Sequence, residues 1–359
     1  MSDFAFPEPN QFTSRLFDKL SRHPKRVVFT EGEDIRVLRV AEELVRRKII
    51  APILLGNVQE IKKLAADNGV SLKFVNVIDP PKASDFGLFC DRFRRQERFR
   101  RIYASAKDAA GFMSRPAYFG AMMVQYGQAD AIVSGNISAP VSVFRPLLQM
   151  IKPLPTVPAV YSTIVMVDDR DSDQEDRILF LSDTGINPEP TPEQLAAMAV
   201  ETAKLCRHLE QRAPRVAMLS YSNKGSSVSA STRKMEAATA LARELARRQM
   251  IEIDIEGEIQ ADVALLPDIA EKKVPNSVLK GAADVLIFPN LDSSHIAYKL
   301  LTHFAVLKPY GQIIQGLSRP AAQISRSSKE EQILGTAAAV AVEAIEFREL
   351  IEKEEDYVV

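Results

Sequence analysis

Arg26-Val27-Val28-Phe29-Thr30, then Ile35 through Arg47, then Ala51-Pro52-Ile53-Leu54-Leu55-Gly56: the reading of these three stretches decides the fold class. The first and third are short apolar runs bounded by turn residues, as strands buried on both faces are, and the middle one has the apolar period of an amphipathic helix. Together they predict a strand, helix, strand unit. The rhythm returns at Ala129 to Val133, at Arg215-Val216-Ala217-Met218-Leu219-Ser220 and at Ala283-Asp284-Val285-Leu286-Ile287-Phe288-Pro289. Such repetition predicts an α/β protein with mostly parallel sheets covered by helices on both faces. Ligands in these folds collect at the carboxyl ends of strands, which singles out the surroundings of Thr30, Ser134, Ser220 and Pro289.

With 46 basic against 47 acidic side chains in 359 residues, the formal net charge is -1, and no global field favours nucleic acid or a membrane surface as partner. At 46% hydrophobic and 26% charged, the chain is long enough for two domains or one large one. The nearest approach to a membrane span, Ala337 to Ala344, is too short to cross a bilayer. Two cysteines, Cys90 and Cys206, are too few for a disulfide framework or a Cys-based zinc site, and four histidines show no ligand spacing, so no metal is expected. Met1 to Phe12 is acidic and proline-bearing, unlike a signal peptide, and a reducing cytoplasm fits best.

Lys152-Pro153-Leu154-Pro155-Thr156-Val157-Pro158 cannot continue a helix and interrupts the α/β rhythm, so it is the expected domain boundary. The acidic patch Asp168 to Asp176 reads as a solvated hairpin or loop. No G-x-G-x-x-G follows the first strand, which argues against a dehydrogenase.

Chemistry concentrates in a few segments. Gln315-Gly316-Leu317-Ser318-Arg319-Pro320 is followed by Ser325-Arg326-Ser327-Ser328 and a long Ala/Val-rich helix; a hydroxyl beside a guanidinium before a helix suits phosphate or thioester oxygens. Ser325 serves equally as an N-cap of that helix. In Val143-Phe144-Arg145-Pro146, the proline is expected in a first helical turn, with Arg145 at the helix mouth facing a phosphate or CoA-type anion, or a neighbouring carboxylate. Arg92, Arg94, Arg95, Arg98, Arg100 and Arg101 form a basic helix that reads mainly as a solvated or ion-paired face. Ser220 to Ser226 and Asp183 to Pro188 offer backbone donors and hydroxyls to a ligand, or simply turn chemistry.

Three further segments, Thr30-Glu31-Gly32-Glu33-Asp34-Ile35-Arg36, Asp130-Ala131-Ile132-Val133-Ser134-Gly135 and Phe288-Pro289-Asn290-Leu291, stand with the Ser325-Arg326 pair in the order and spacing of the phosphate acetyltransferase and phosphate butyryltransferase family, which the chain resembles over nearly its whole length. The resemblance implies a two-domain α/β/α fold, of the isocitrate/isopropylmalate dehydrogenase-like kind, with residues 1–154 and 313–359 forming a discontinuous first domain. Residues 155–312 would form the second, which builds a homodimer. It further implies acyl transfer between CoA and inorganic phosphate, with acyl-CoA, phosphate and acyl phosphate as ligands and no permanently bound cofactor. By the same resemblance Ser325 and Arg326 are the catalytic pair, and Arg145, Ser134, Gly135, Ser138, Asn290 and one arginine of the basic helix bind substrate. That arginine is taken as Arg98, although an ungapped count back from Met113-Ser114 lands on Phe99. Glu256-Gly257-Glu258 would line the cleft or the subunit interface rather than act as an acid/base pair.

The chain also departs from the family pattern. The family aspartate seven residues after the serine, placed to take a proton from CoA, is Gln332 here, and an amide cannot act as a general base. The loop Asn136 to Ser142 has fewer hydroxyls, and Arg319-Pro320-Ala321-Ala322-Gln323 lacks two polar side chains of the family run. The Arg-Pro run without the aspartate is similar to the phosphate-acetyltransferase-like C-terminal domain of large malic enzymes. The competing reading is therefore an acyl-CoA-binding regulatory protein.

Overall fold

The computed structural model describes residues 4–95, 106–170 and 176–355, so Arg98, Arg100 and Arg101 lie outside the described residues. The chain forms two compact units. One takes in the chain up to Pro9, Thr13–Pro153 and Leu317 onward; the other takes in Asn10–Phe12 and Leu154–Gly316. The chain passes between them at Pro153, inside the proline-rich stretch, and again at Gly316.

After α1 (Gln11–Arg22), the first unit runs through β1 (Lys25–Phe29), α2 (Ile35–Arg46), β2 (Ile50–Leu55), α3 (Val58–Asp67), β3 (Asn76–Ile78), α4 (Phe86–Arg95), α5 (Ala106–Met113), α6 (Pro116–Gln125), β4 (Ala131–Ser134) and α7 (Pro140–Met150). The second unit contains β5 (Tyr161–Asp168), β6 (Arg177–Ser182), α8 (Pro192–Glu210), β7 (Arg215–Leu219), α9 (Ala230–Arg248), β8 (Asp254–Ile259), α10 (Ala261–Leu265), α11 (Pro267–Lys273), β9 (Val285–Ile287), α12 (Leu291–His303) and β10 (Lys308–Gln315). The chain then returns to the first unit with β11 (Ala321–Gln323) and α13 (Glu330–Glu355).

The strands of the first unit lie in the order β3, β2, β1, β4, β11, every neighbour parallel. Val27, Val28 and Phe29 of β1 and all of β4 are buried, because helices cover both faces. On α2, Val37, Leu38, Val40, Ala41 and Leu44 turn inward, and α13 packs on α2, β1 and β4 with Ile333 and Ala337 to Val342 fully buried. After β1 the chain moves to one side of the sheet and after β4 to the other. The carboxyl ends of these adjacent strands therefore diverge and leave a crevice, the switch point where doubly wound sheets bind ligands.

In the second unit, β6, β9, β7 and β8 pair in parallel, but β10 with β5 and β5 with β6 are antiparallel. Alternate residues Ile164 and Met166, Leu179 and Leu181, and Ala217 and Leu219 share one core. β5 and β6 are antiparallel neighbours, and residues 171–175 of the acidic patch between them lie outside the described residues. Among the described residues, no helix is long and apolar enough to cross a membrane.

Two local expectations are corrected. The helix carrying Arg145 begins at Pro140, so Pro146 lies inside it and Arg145 is in its second turn rather than at its mouth. With two prolines in one segment, the earlier one fills the first turn, where its missing N–H costs nothing. The last helix begins at Glu330, so Ser325 is not its N-cap and sits in the turn before it. On α4, Phe89 and Phe93 are buried against Phe119 and Phe112, while Arg94 pairs with Asp91 and Arg92 stacks over the Tyr126 ring at 3.8 Å.

Candidate active site

The crevice of the first unit is built by Thr30 and Ser134, which follow one another across the parallel pair β1 and β4. Their hydroxyls meet at 2.5 Å, and both side chains are buried. Beyond Ser134 the backbone turns at Gly135 with φ +116°, a region closed to side chains, and a Cβ there would stand 2.5 Å from the Ile324 carbonyl oxygen. That approach arises because β11 runs beside β4, with Gln323 opposite Ser134 and the Ile324 N–H donating to the Ser134 carbonyl at 2.8 Å. The Ser325–Ser328 turn therefore leaves the sheet next to the 135–138 loop.

Three residues of the Thr30–Arg36 segment hold these two loops. The Glu31 carboxylate accepts from the N–H groups of Gly135 at 2.9 Å, Ile137 at 3.2 Å and Ser138 at 2.7 Å. Asp34 caps α2 by accepting from the Arg36 N–H at 2.8 Å, and it also accepts from Asn136 Nδ2 at 2.9 Å and from the Arg36 guanidinium. Burial by itself would raise the Asp34 pKa, but the hydrogen bonds from Arg36 and Asn136 outweigh it and hold the group below the usual carboxylate range. Arg36 Nη1 then donates to the carbonyls of Arg326 and Ser328, both at 2.9 Å, and Nη2 donates to the Asn136 carbonyl at 2.7 Å. One guanidinium thus ties the two loops that carry the sequence motifs.

A pocket of about 390 Å³ opens over this framework, with Glu31, Arg115, Ser138 and Arg145 among its walls. Arg115 and Arg145 are exposed and make no hydrogen bond or ion pair with their side chains among the described residues; Arg115 only stacks over Phe112 at 5.3 Å. The pocket's carboxylates are engaged elsewhere, Glu31 on the loop amides and Glu33 on the Asn57 N–H at 2.7 Å. Two guanidinium groups with no carboxylate partner of their own are chemically suited to an anion, since each offers paired donors matched to phosphate oxygens. The Ser138 hydroxyl also makes no hydrogen bond among the described residues.

The remaining motif residues are distributed as follows. Ser325 Oγ lies 2.9 Å from Ser327 Oγ and accepts from the Ser327 N–H, while the exposed Arg326 guanidinium has no partner among the described residues. The Ser134 hydroxyl is paired with that of Thr30, and the Gly135 N–H donates to Glu31, so both are engaged inside the framework. Asn290, in the second unit, caps α12 by accepting from the Ser293 N–H at 3.0 Å. The Asp183–Pro188 donors turn onto Asp183 itself, which accepts from Ser162, Gly185, Ile186 and Asn187, so turn chemistry accounts for them. Glu256 pairs with Lys224 and Glu258 accepts from the Gly225 N–H, which leaves neither as an acid/base group. Gln332 accepts from the Lys329 N–H at 2.8 Å, half of a capping box at the start of α13, and Glu330 is paired with Arg39. Among the described residues, no three His, Cys, Asp or Glu side chains are placed to hold a metal ion.

Sequence reasoning assigned no role to Glu31, Asp34, Arg36 or Arg115. Asp34 ahead of an amphipathic helix and Arg115 ahead of Pro116 both carry helix-start signals, but nothing local announces the partners of Glu31 and Arg36.

A family model described as Phosphate acetyl/butaryl transferase matches residues 11–341. The phosphate acetyltransferase of Acetivibrio thermocellus is 34% identical over 333 residues, which cover 93% of this chain and 98% of that protein. Among solved structures, a phosphotransacetylase from Streptococcus pyogenes superimposes with a TM-score of 0.84 at 32% identity, covering 93% of this chain and 98% of the other. The EutD phosphotransacetylase from Staphylococcus aureus does so with a TM-score of 0.82, at the same identity and coverage.

Proposed function

The chain belongs to the Phosphate acetyl/butaryl transferase family, and from that premise we propose how its first unit carries out acyl transfer between CoA and phosphate. The observation that carries the reading is the pocket in which Arg115, Arg145 and the Ser138 hydroxyl stand without partners among the described residues. Phosphate binds there, its charge matched by the two guanidinium groups. A phosphate oxygen attacks the thioester carbonyl of acetyl-CoA, the C–O bond forms as the carbonyl π electrons move onto oxygen, and the tetrahedral oxyanion takes donors from Ser325 and Arg326. Collapse breaks the C–S bond and releases acetyl phosphate and the CoA thiolate. Positioning and charge do the chemistry, with no covalent enzyme intermediate.

The regulatory alternative rests on Gln332 and on the loop from Asn136 to Ser142. The relatives reported above carry the names of enzymes, and Gln332 has a capping task of its own, so we set that alternative aside. A thiolate leaving group needs no base at that position in the direction that forms acetyl phosphate.

The second unit is read as the homodimer interface. Ile296, Leu300 and Phe304, four residues apart along α12 and its cap, are exposed at 59%, 51% and 85%, an apolar stripe suited to a second copy. Cys90 and Cys206 are both free and buried, which supports a reducing compartment.

The test is phosphate-dependent release of CoA from acetyl-CoA, followed with a thiol reagent, with butyryl-CoA beside it to read acyl length. Arg145→Ala is expected to raise the phosphate KM at least about tenfold, the loss of one charged contact. Arg326→Ala is expected to lower kcat. Unchanged kinetics in both variants would overturn the reading.

A further inference from the structure

Three backbone donors of the β4–α7 loop, the N–H groups of Gly135, Ile137 and Ser138, converge on one carboxylate, as the donors of an anion-binding backbone nest do. In this protein the anion is part of the chain. Glu31 Oε2 accepts from Gly135 and Ile137, and Oε1 accepts from Ser138. The donors that a phosphate would otherwise take are already occupied. Recognition of phosphate therefore falls to the Ser138, Arg115 and Arg145 side chains, whose placement depends on the shape of the loop and of α7 that follows it. Asn136 is held separately by Asp34 and Arg36, but Ile137 and Ser138 are fixed by Glu31, and Ile137 is otherwise exposed at 53%. No ion pair draws Glu31 away from this task among the described residues.

We propose that Glu31 is a positioning residue for phosphate recognition, an internal carboxylate that fills the loop's anion nest and so presents Ser138 and Arg145 to the pocket. The proposal rests on the reading of that pocket as the phosphate site. It assigns Glu31 no contact with the substrate and no proton transfer.

The chemistry of the amide separates this role from a general structural one. In Glu31→Gln, one oxygen becomes an NH2 group. With the remaining oxygen toward Gly135 and Ile137, the NH2 group faces the Ser138 N–H, donor against donor; the opposite flip loses two bonds instead of one. Glu31→Asp keeps both oxygens on a shorter stem. Steady-state kinetics with phosphate and acetyl-CoA varied in turn, together with melting temperatures, are measured for Glu31→Gln, Glu31→Asp and Arg145→Ala. Glu31→Gln is expected to raise the phosphate KM about tenfold, with the acetyl-CoA KM and kcat within about twofold, and Glu31→Asp, whose shorter stem lengthens the three bonds without removing an acceptor, to raise it about threefold. An unchanged phosphate KM in Glu31→Gln, or equal rises in both KM values, overturns the proposal when Arg145→Ala still raises the phosphate KM. If Arg145→Ala leaves that KM unchanged, the pocket reading itself fails. Should Glu31→Gln not fold, Glu31→Asp decides: a rise confined to the phosphate KM supports the role, and none refutes it.

Discussion

Replacing Arg36 by alanine removes one side chain and unties two loops. The guanidinium donates to three carbonyls, those of Arg326, Ser328 and Asn136, at 2.7 to 2.9 Å, and grips Asp34 through Nε and Nη2. A hydrogen bond from a charged donor is worth about 1.5–3 kcal/mol when fully desolvated. The Arg36 side chain is 25% exposed, so water replaces part of each, and about 1 kcal/mol per partner is the fair figure. Four partners give a loss of about 4 kcal/mol, a large share of the roughly 5–15 kcal/mol that holds an ordinary domain. Urea denaturation at pH 7 reads this directly. The sign of its pH dependence follows from Asp34, whose folded pKa is depressed by Arg36 and Asn136. Such a group stabilises fully above its unfolded pKa of about 3.9 and loses that contribution as pH falls through the lower folded value. The gap between wild type and Arg36→Ala should therefore stay constant from pH 8 to about 5 and begin to close below about 4. Arg36→Lys keeps the charge but not the fork, and is expected to recover less than half of the loss. A gap under about 1 kcal/mol at pH 7 would refute the reasoning, because it would mean that water satisfies those carbonyls as well as the guanidinium does.

Three further outcomes are expected. Gly135→Ala forces a Cβ to 2.5 Å from the Ile324 carbonyl at φ +116°, and should cost about 3 kcal/mol or more in denaturant melts; a normal midpoint would show that the β4–β11 approach relaxes freely. With the Gln332 amide committed to the Lys329 N–H, the direction that consumes CoA must wait for the thiol's own ionisation near pKa 8.5, so its rate should rise about eightfold between pH 7.5 and 9. Gln332→Asp should flatten that profile, and a flat wild-type profile would mean that another base serves. Phe304→Glu places a charge in the exposed stripe on α12 and is expected to yield monomer in sedimentation experiments, whereas an unchanged mass would move the interface elsewhere.

Much of the first unit is legible in the residues. Its strands are buried on both faces and read as apolar runs such as Val27-Val28-Phe29, and its helices carry their own start signals, as Asp34 does for α2. The activity is legible in the family likeness of the motifs around Arg145 and Ser325-Arg326. The antiparallel pairing of β5, β6 and β10 was not legible, because a fully buried strand has the same apolar pattern whichever way its neighbours run. The start of α7 is not legible either, because Pro140 and Pro146 send the same local signal.

What the sequence determined by itself is therefore the set of elements, the alternation that makes them an α/β protein, and the residue types able to bind an anion. Only the tertiary structure decided which donors remain available to a ligand. Gly135, Ile137 and Ser138 are occupied by a carboxylate more than a hundred positions away, and Arg36 reaches carbonyls some 290 positions along the chain. Backbone N–H and C=O groups are the same at every residue, so their partners follow from strand order and from the divergence of β1 and β4, which no local pattern of side chains encodes.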